Sequence, residues 1–305
     1  MKNSDKRSTT RPPSRQKPRI LIFGACGQLG HDLVRALSPR YEVIAVDHTE
    51  VDIVNALVVE QKVNKVKPDT VINAAAYNKV EDAEHNALLV YAVNAIGPYN
   101  IARATFALGI PMLHISTDYV FDGTKKGGYA EDDVAHPLNI YGASKEAGER
   151  LVRIGNPKHW IIRTSALFGL HSGGGKGNKK RHNFVTQMLM RGRVEKELRV
   201  VSDQWTAPTY TLDLATGINA LLLRKVPHGT YHLVNEGSAT WFDFAKEIFH
   251  IANYSSKIKK ISTENSGSRI DRPPRSVLKN IKLKKRGIVL PHWQDGLKRY
   301  MMELS

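Results

Sequence analysis

Five short apolar runs punctuate the first half of the chain: RILIF (19–23), EVIAV (42–46), TVIN (70–73), PMLHIS (111–116) and WIIRTS (160–165). Each is continuous rather than alternating, the pattern of strands covered on both faces. Between them lie LGHDLVRAL, VVEQKVNKV, the long stretch 81–108 and SKEAGERLV, whose apolar residues recur at helical spacing. Strand and helix alternating this often predict an α/β fold built on a doubly wound parallel sheet. Beyond Ala166 the order loosens into a Gly/Lys-rich loop (HSGGGKGNKKRH), a helix near 183–191, LRVVSDQ, a helix over 212–223, GTYHLVN and WFDFAKEIFHIA. A smaller, interleaved C-terminal domain fits that change. The expected division is a basic tail over 1–18, a sheet domain over 19–165, and a mainly substrate-binding domain over 166–305 with segments returning to the sheet.

Composition narrows the class. With 41% hydrophobic and 24% charged residues in 305, disordered, collagenous and membrane chains are excluded. The single cysteine, Cys26, rules out an internal disulfide and a cysteine zinc site, which suits a reducing compartment. No apolar run approaches the roughly 18 residues of a spanning helix, and 1–18 lack a signal-peptide core. A cytoplasmic, soluble protein is expected, with its proline-containing tail solvated. The net charge of +16 is regional: seven Lys/Arg against one acid in 1–19, and eleven against two in 255–286. Residues 172–199 add eight against two, so two of the three basic regions lie where an anionic ligand could be met.

The first strand runs into Gly24-Ala-Cys-Gly27-Gln28-Leu29-Gly30 and then a helix. A dinucleotide pyrophosphate needs a turn free of side chains and helix N–H groups aimed at it, so this loop predicts a Rossmann-type cofactor domain. Asp47 closes the second strand, where an acid can accept from an adenosine ribose diol, and Asp52-Ile53 follow in a second turn that could meet the adenine. No Lys or Arg lies between Tyr41 and Glu60 to meet a 2′-phosphate, which favours NADH over NADPH. Asn73-Ala74-Ala75-Ala76-Tyr77 ends the third strand with small side chains against which a flat ligand can lie. Ser116-Thr117-Asp118 ends the fourth, and Tyr141-Gly-Ala-Ser-Lys145 opens a helix. Tyr and Lys at i and i+4 share a helix face, and a cation about 4 Å away could lower a phenol from about 10 toward about 7.

These residues, with VNAIGP, ISTDYVFDGT, YGASKEAGE, RTSALFG, VVSDQWTAPTY, GTYHLVNEGSATW, RPPRSVL and LPHWQDGLKRY, resemble the extended short-chain dehydrogenase/reductase family. Within it they resemble the dTDP-4-dehydrorhamnose reductase subfamily. The resemblance implies reduction of the C4 ketone of a dTDP-4-dehydro-6-deoxy sugar by NADH or NADPH. It implies Tyr141 as proton donor, Lys145 tuning Tyr141 and holding the nicotinamide ribose, and Thr117 holding the carbonyl oxygen. Gly27, Gln28, Leu29, Asp52, Ile53, Ala75, Ala76 and Tyr77 fall at cofactor-contacting positions, and Asn94 at the family's central-helix asparagine. Asp118 and Arg272 are expected on the substrate side, Arg272 facing the diphosphate. Ala166 stands where the family has a tryptophan near the sugar, so the sugar contacts are expected to differ there. The stretch 171–182 is long enough for a lid, and His171 and His182 could touch phosphate. The twelve histidines form no H-E-x-x-H cluster, so no catalytic metal is expected. By analogy alone the resemblance adds a homodimer and a magnesium ion at a subunit contact. Two other readings stay open: a reductase or epimerase of another nucleotide sugar, and a regulatory subunit like that of methionine adenosyltransferase. No motif supports nucleic-acid binding.

Overall fold

A computed structural model of the chain describes residues 17–171 and 183–304. The tail 1–16 and most of the Gly/Lys-rich loop, including His182, lie outside the described residues, and so does the expected lid. Along the chain the first strands are β1 (Arg19–Phe23), β2 (Glu42–Val46), β3 (Thr70–Asn73), β4 (Met112–Thr117), β5 (His159–Thr164) and β6 (Leu167–Phe168). They are followed by β7 (Glu197–Val201), β8 (Trp205–Thr206), β9 (Thr209–Tyr210), β10 (Gly229–His232), β11 (Ala239–Thr240) and β12 (Lys257–Ile261). The α-helices are α1 (Gln28–Leu37), α2 (Ala56–Val66), α3 (Val80–Ala83), α4 (Ala87–Tyr91), α5 (Gly97–Ala107) and α6 (Ile140–Gly155). In the later half come α7 (Phe184–Val194), α8 (Thr211–Leu223), α9 (Trp241–Ile251) and α10 (Trp293–Leu304).

Six strands form one parallel sheet in the order β10-β5-β4-β3-β1-β2. From β1 the chain turns one way to β2 and the other way to β3, so a crevice opens past the C-terminal ends of those strands. Helices cover both faces because each carries an apolar stripe. Leu29, Leu33 and Leu37 of α1 and Leu214, Ile218 and Leu221 of α8 bury one face. Val59 and Val63 of α2, Ile101 of α5 and Val152 of α6 bury the other. A third core joins Phe168, Tyr210, Phe244, Ile248, Trp293 and Tyr300 among the later elements.

Two segments differ from the sequence expectation. The stretch 81–108 is not one helix: α3 and α4 are single turns, and a π-helical turn over Ala92–Ile96 leads into α5. The widened turn places the Asn94 carbonyl against α6 at Gly148, where an added Cβ would strike the Asn94 oxygen. Such turns often mark functional positions. The lysine-rich KIKKI is strand β12, paired in parallel with β7. Its charges hid a strand whose Ile258 reaches the third core from the rim.

Candidate active site

The glycine loop is shaped by close approach. Gly24 adopts φ +79°, and a Cβ there would lie 2.5 Å from the Ala75 nitrogen, so β1 and β3 meet with no room for a side chain. Gly30 packs on the Gly24 carbonyl with similar intolerance. Gly27 stands at the start of α1 with no side-chain cap, leaving first-turn N–H groups directed past the loop. A Cβ on Gly27 would meet nothing but the Gly24 oxygen, at 3.2 Å. An anionic group fits that cradle.

Asp47 closes β2 beside this loop. Its Oδ1 accepts from Thr49 Oγ1 at 2.6 Å, Thr49 N at 2.9 Å and Glu50 N at 3.2 Å, and its Oδ2 from Cys26 Sγ at 3.4 Å. The Thr49 hydroxyl above all, with these other donors, holds the carboxyl down at about 2. Asp52 is exposed and caps the Val54 N–H, whereas Ile53 turns its side chain inward against Gly97. Leu29 likewise gives its side chain to the core, so it and Ile53 present backbone to the crevice. Gln28 reaches the later half of the chain, its Oε1 accepting from Asn183 at 3.1 Å. Ala75 and Ala76 follow β3 in an extended stretch, with the Ala75 N–H held by Asn73 Oδ1 at 3.1 Å. Tyr77 is pinned by Asn94, which accepts from its N–H at 2.8 Å and donates to its carbonyl at 3.0 Å. Asn94 also donates to Ser144 Oγ at 3.0 Å, linking the β3 end to α6 between Tyr141 and Lys145.

Tyr141 and Lys145 begin α6, which Asn139 caps by accepting from Gly142 N at 2.8 Å. The same amide donates to the Asp271 carbonyl at 2.9 Å, so the helix start is tied to the segment carrying Arg272. Lys145 is buried and donates to the Ile115 carbonyl at 2.6 Å. Burial lowers its pKa to about 8, against the opposing pull of Glu149. Glu149, one turn further, accepts from Arg163, Arg153 and Ser116 at 2.6–2.8 Å. Burial would raise that carboxyl, but Arg163 and its other partners hold it down.

Tyr141 corrects one expectation. Its phenol is pushed up, not down: burial dominates, the nearby Thr117 hydroxyl opposes it, and Asp118 and Tyr119 add to it. The Lys145 ammonium gives one of its three protons to the Ile115 carbonyl, and it is not among the charges that move the resting phenol. The phenol therefore keeps its proton at neutral pH.

Thr117 donates to Asp118 Oδ1 at 3.1 Å and accepts from Tyr119 N at 3.2 Å. Asp118 is buried, and its Oδ2 accepts from Ser165 Oγ at 2.9 Å and from Ser276 Oγ. Burial raises its carboxyl to about 6 in spite of these hydroxyls. Arg272 donates to Tyr119 OH at 3.0 Å and pairs with Glu81. Tyr119 in turn packs edge-on to Tyr141, with ring centroids 5.7 Å apart. The structure thus gathers Thr117, Asp118, Tyr141 and Arg272 around Tyr119, while Glu81 competes for the Arg272 charge. Ala166 adopts φ +43°, an uncommon backbone for a residue with a Cβ, and its carbonyl accepts from Thr209 at 3.2 Å. His171 stacks on His31 of α1 at 3.8 Å. Among the described residues no group of three or more His, Cys, Asp or Glu could hold a metal, and no helix is long and apolar enough to cross a membrane.

Sequence reasoning missed Glu149, Ser165, Thr206 and Ser276. Glu149 continues the Tyr141, Lys145 face at i+4 and was open to detection. Ser165 and Ser276 converge on Asp118 from distant segments, with Thr206 behind Ser165, and they carry no local signal.

Comparison with known proteins places this geometry. The RmlD substrate binding domain family matches residues 18–305. The spore coat polysaccharide biosynthesis protein SpsK of Bacillus subtilis (strain 168) is 38% identical over 288 residues, covering 94% of this chain and 98% of its own. A dTDP-4-dehydrorhamnose reductase of Aggregatibacter actinomycetemcomitans is 39% identical over 294 residues, covering 92% and 97%. The crystal structure of dTDP-4-dehydrorhamnose reductase from Bacillus anthracis str. Ames in complex with NADP superposes with a TM-score of 0.88 at 41% identity, covering 94% and 100%.

Proposed function

The chain belongs to the RmlD substrate binding domain family, and from that premise and the site geometry we propose that it is a dTDP-4-dehydrorhamnose reductase. It reduces the C4 ketone of dTDP-4-dehydro-6-deoxy-L-mannose to dTDP-L-rhamnose, a building block for rhamnose-containing surface polysaccharide, with NADH or NADPH as reductant. The observation that carries this reading is the half-buried Tyr141, packed edge-on to Tyr119 beside the end of β4, with Lys145 one turn along α6.

The loop Gly24, Gly27, Gly30 and the open first turn of α1 would hold the pyrophosphate, with Gln28 and Leu29 beside it. Asp47 would accept from a ribose diol, Asp52 and Ile53 would border the adenine, and Ala75, Ala76 and Tyr77 would line the path of the nicotinamide. When bound, the cofactor supplies the hydride that goes to C4. Tyr141 delivers its proton to the ketone oxygen, and the upward push of desolvation on the phenol keeps that proton in place at neutral pH. Lys145 is the cation closest along the helix to the phenolate that results, and it would hold the nicotinamide ribose. Because its pKa is lowered to about 8, kcat should fall as pH rises through about 8 and that positive charge is lost. Arg272, freed from Glu81, is the group to meet the diphosphate.

Asp47 and the lack of Lys or Arg between Tyr41 and Glu60 support NADH, whereas the Bacillus anthracis relative was solved with NADP. The ratio of the two KM values decides between them. The single thiol, Cys26, is committed to Asp47 without a disulfide, in keeping with a cytoplasmic enzyme. A homodimer would cover exposed Leu88, Leu89 and Ile96, and light scattering would read its mass. The direct test mixes the protein with dTDP-glucose, the preceding dehydratase and epimerase, and either reduced cofactor. Cofactor oxidation with dTDP-L-rhamnose formed is expected; folded protein that oxidises neither cofactor would remove the reading.

A further inference from the structure

The first turn of α1 meets the second half of the chain where Gln28 touches Asn183. A side-chain amide has one arm that accepts and one that donates. Asn183 caps α7, its Oδ1 accepting from Thr186 N at 3.0 Å. A backbone N–H only donates, so that arm is the oxygen and the other is Nδ2. Nδ2 donates to the Gly169 carbonyl at 2.9 Å, an acceptor only, which fixes the same orientation from the other side. Two further acceptors surround Nδ2: Tyr300 OH at 3.2 Å and Gln28 Oε1 at 3.1 Å. Gln28 therefore turns its accepting arm to Asn183. Its donating arm, Nε2, faces the other way and makes no hydrogen bond among the described residues.

The stem of Gln28 is placed as firmly as its amide. The residue opens α1 directly after Gly27. A Cβ on Gly169 would strike Thr211 Oγ1 at 1.9 Å and crowd Gln28 Cγ at 3.1 Å, so the stem lies against backbone bare of a side chain. One turn further along α1, Asp32 accepts from Thr211 at the start of α8, and His31 stacks on His171. The helix start is thus fastened at three neighbouring residues to segments from the second half of the chain.

We propose that Asn183 is a positioning residue for the cofactor: it claims the oxygen of the Gln28 amide and so presents Gln28 Nε2, as a donor, to the pyrophosphate held at the glycine loop. This deepens the reductase reading and rests on it for the identity of the ligand. An N–H beside an anion makes a charge-assisted hydrogen bond, whereas a reversed amide would offer the phosphate an oxygen. Both arms of Asn183 are assigned by backbone groups that cannot exchange roles, so the direction of the Gln28 amide is set before any cofactor arrives. The two residues lie 155 positions apart, one on the glycine loop and one on the substrate-side helix α7.

The test measures dissociation constants of NADH and NADPH by calorimetry, on the full chain without sugar, for variants at both ends of the contact. Asn183→Ser keeps a capping oxygen for α7 but cannot reach Gln28, and should weaken both cofactors about threefold to tenfold. Asn183→Asp also keeps the cap but makes the second arm an acceptor, which reverses the Gln28 amide and should weaken both cofactors at least about tenfold. In a Gln28→Ala background each penalty should shrink below about twofold. Penalties of the same size with and without Gln28, or none in either variant, would overturn the proposal. So would a loss confined to NADPH, which would put Gln28 at the 2′-phosphate. Asn183→Asp sets a carboxylate against the Gly169 carbonyl, so melting is followed for every variant, and the Ser series carries the test if that protein does not fold. In turnover the cofactor KM should rise with the dissociation constant while the sugar KM stays within about twofold. A raised sugar KM at unchanged cofactor affinity would place Asn183 on the substrate and overturn the proposal. The same coupling in protein that reduces no sugar would leave the amide pair standing and remove the functional reading instead.

Discussion

Asp47 and Asp118 occupy equivalent places, just past the C-terminal ends of β2 and β4 in one parallel sheet, yet the protein treats them in opposite ways. Asp47 lies at a partly open edge among Thr49, Glu50 and Cys26, and these donors hold it at about 2. Asp118 lies deep between the two halves of the chain with only hydroxyls and its own N–H for company, and burial lifts it to about 6. The difference teaches that residue type and sheet position do not fix a carboxylate's task. Donors that outweigh a small loss of hydration make a permanent anion, suited to a ribose diol. Neutral hydroxyls in a buried site make a group whose charge can change under ordinary conditions.

The largest effect should come at the β4 end. Tyr141→Phe should lower kcat by about 10²–10⁴ while leaving cofactor binding intact, checked by steady-state kinetics and cofactor titration. A fall confined to KM would move Tyr141 from proton donor to binding residue. At the β2 end, Asp47→Asn should raise the cofactor KM by about tenfold with kcat preserved, because a charge-assisted hydrogen bond is worth about 1.5–3 kcal/mol. That ratio should not change between pH 5 and pH 9, since a carboxyl held at about 2 stays ionised throughout.

Stability sharpens the contrast further through the signs of the two shifts. Asp118 has a folded pKa above its ordinary value, so its buried charge costs stability above about pH 6, and the cost is relieved as pH falls from there toward 4. The roughly two-unit displacement sets an upper bound of about 3 kcal/mol. Asp118→Asn should therefore melt no lower than wild type at pH 8, with any gain shrinking by pH 5. A variant that melts far lower at pH 8 would show that the charge stabilises the joint. Asp47 has the opposite sign: its contribution is present above the ordinary carboxyl pKa and lost as pH falls toward 2. The smallest effect belongs to Thr49→Ala, which removes one of the two Thr49 donors and should raise the cofactor KM by about twofold to threefold.

The sheet and its helices were legible because the inner strands are covered on both faces and so read as unbroken apolar runs, and even the more open edge strand β2 keeps such a run after Glu42. RILIF, EVIAV and TVIN became β1, β2 and β3 without a shift of boundary. The glycine loop was legible for a related reason: Gly24 has no room for a side chain against Ala75. The break within 81–108 was hidden, since the π-helical turn at Asn94 answers to packing against Gly148, more than fifty residues away in the chain. The enclosure of Asp118 was hidden in the same way. Its partners come from positions 117, 165 and 276, and nothing local to Ser-Thr-Asp tells an enclosed carboxylate from a substrate ligand. The i, i+4 spacing of Tyr141 and Lys145 showed that they share a helix face but not that the ammonium turns to the Ile115 carbonyl.

The most direct test of the central claim is to run the reaction with NADH or NADPH carrying deuterium at both C4 positions of the nicotinamide and to locate the label in the nucleotide-sugar product. The account predicts one deuterium at C4 of the rhamnose ring with wild-type protein, and a collapse of its rate of appearance with Tyr141→Phe. Deuterium at another ring position, or a labelled product formed as fast without the Tyr141 hydroxyl, would contradict it.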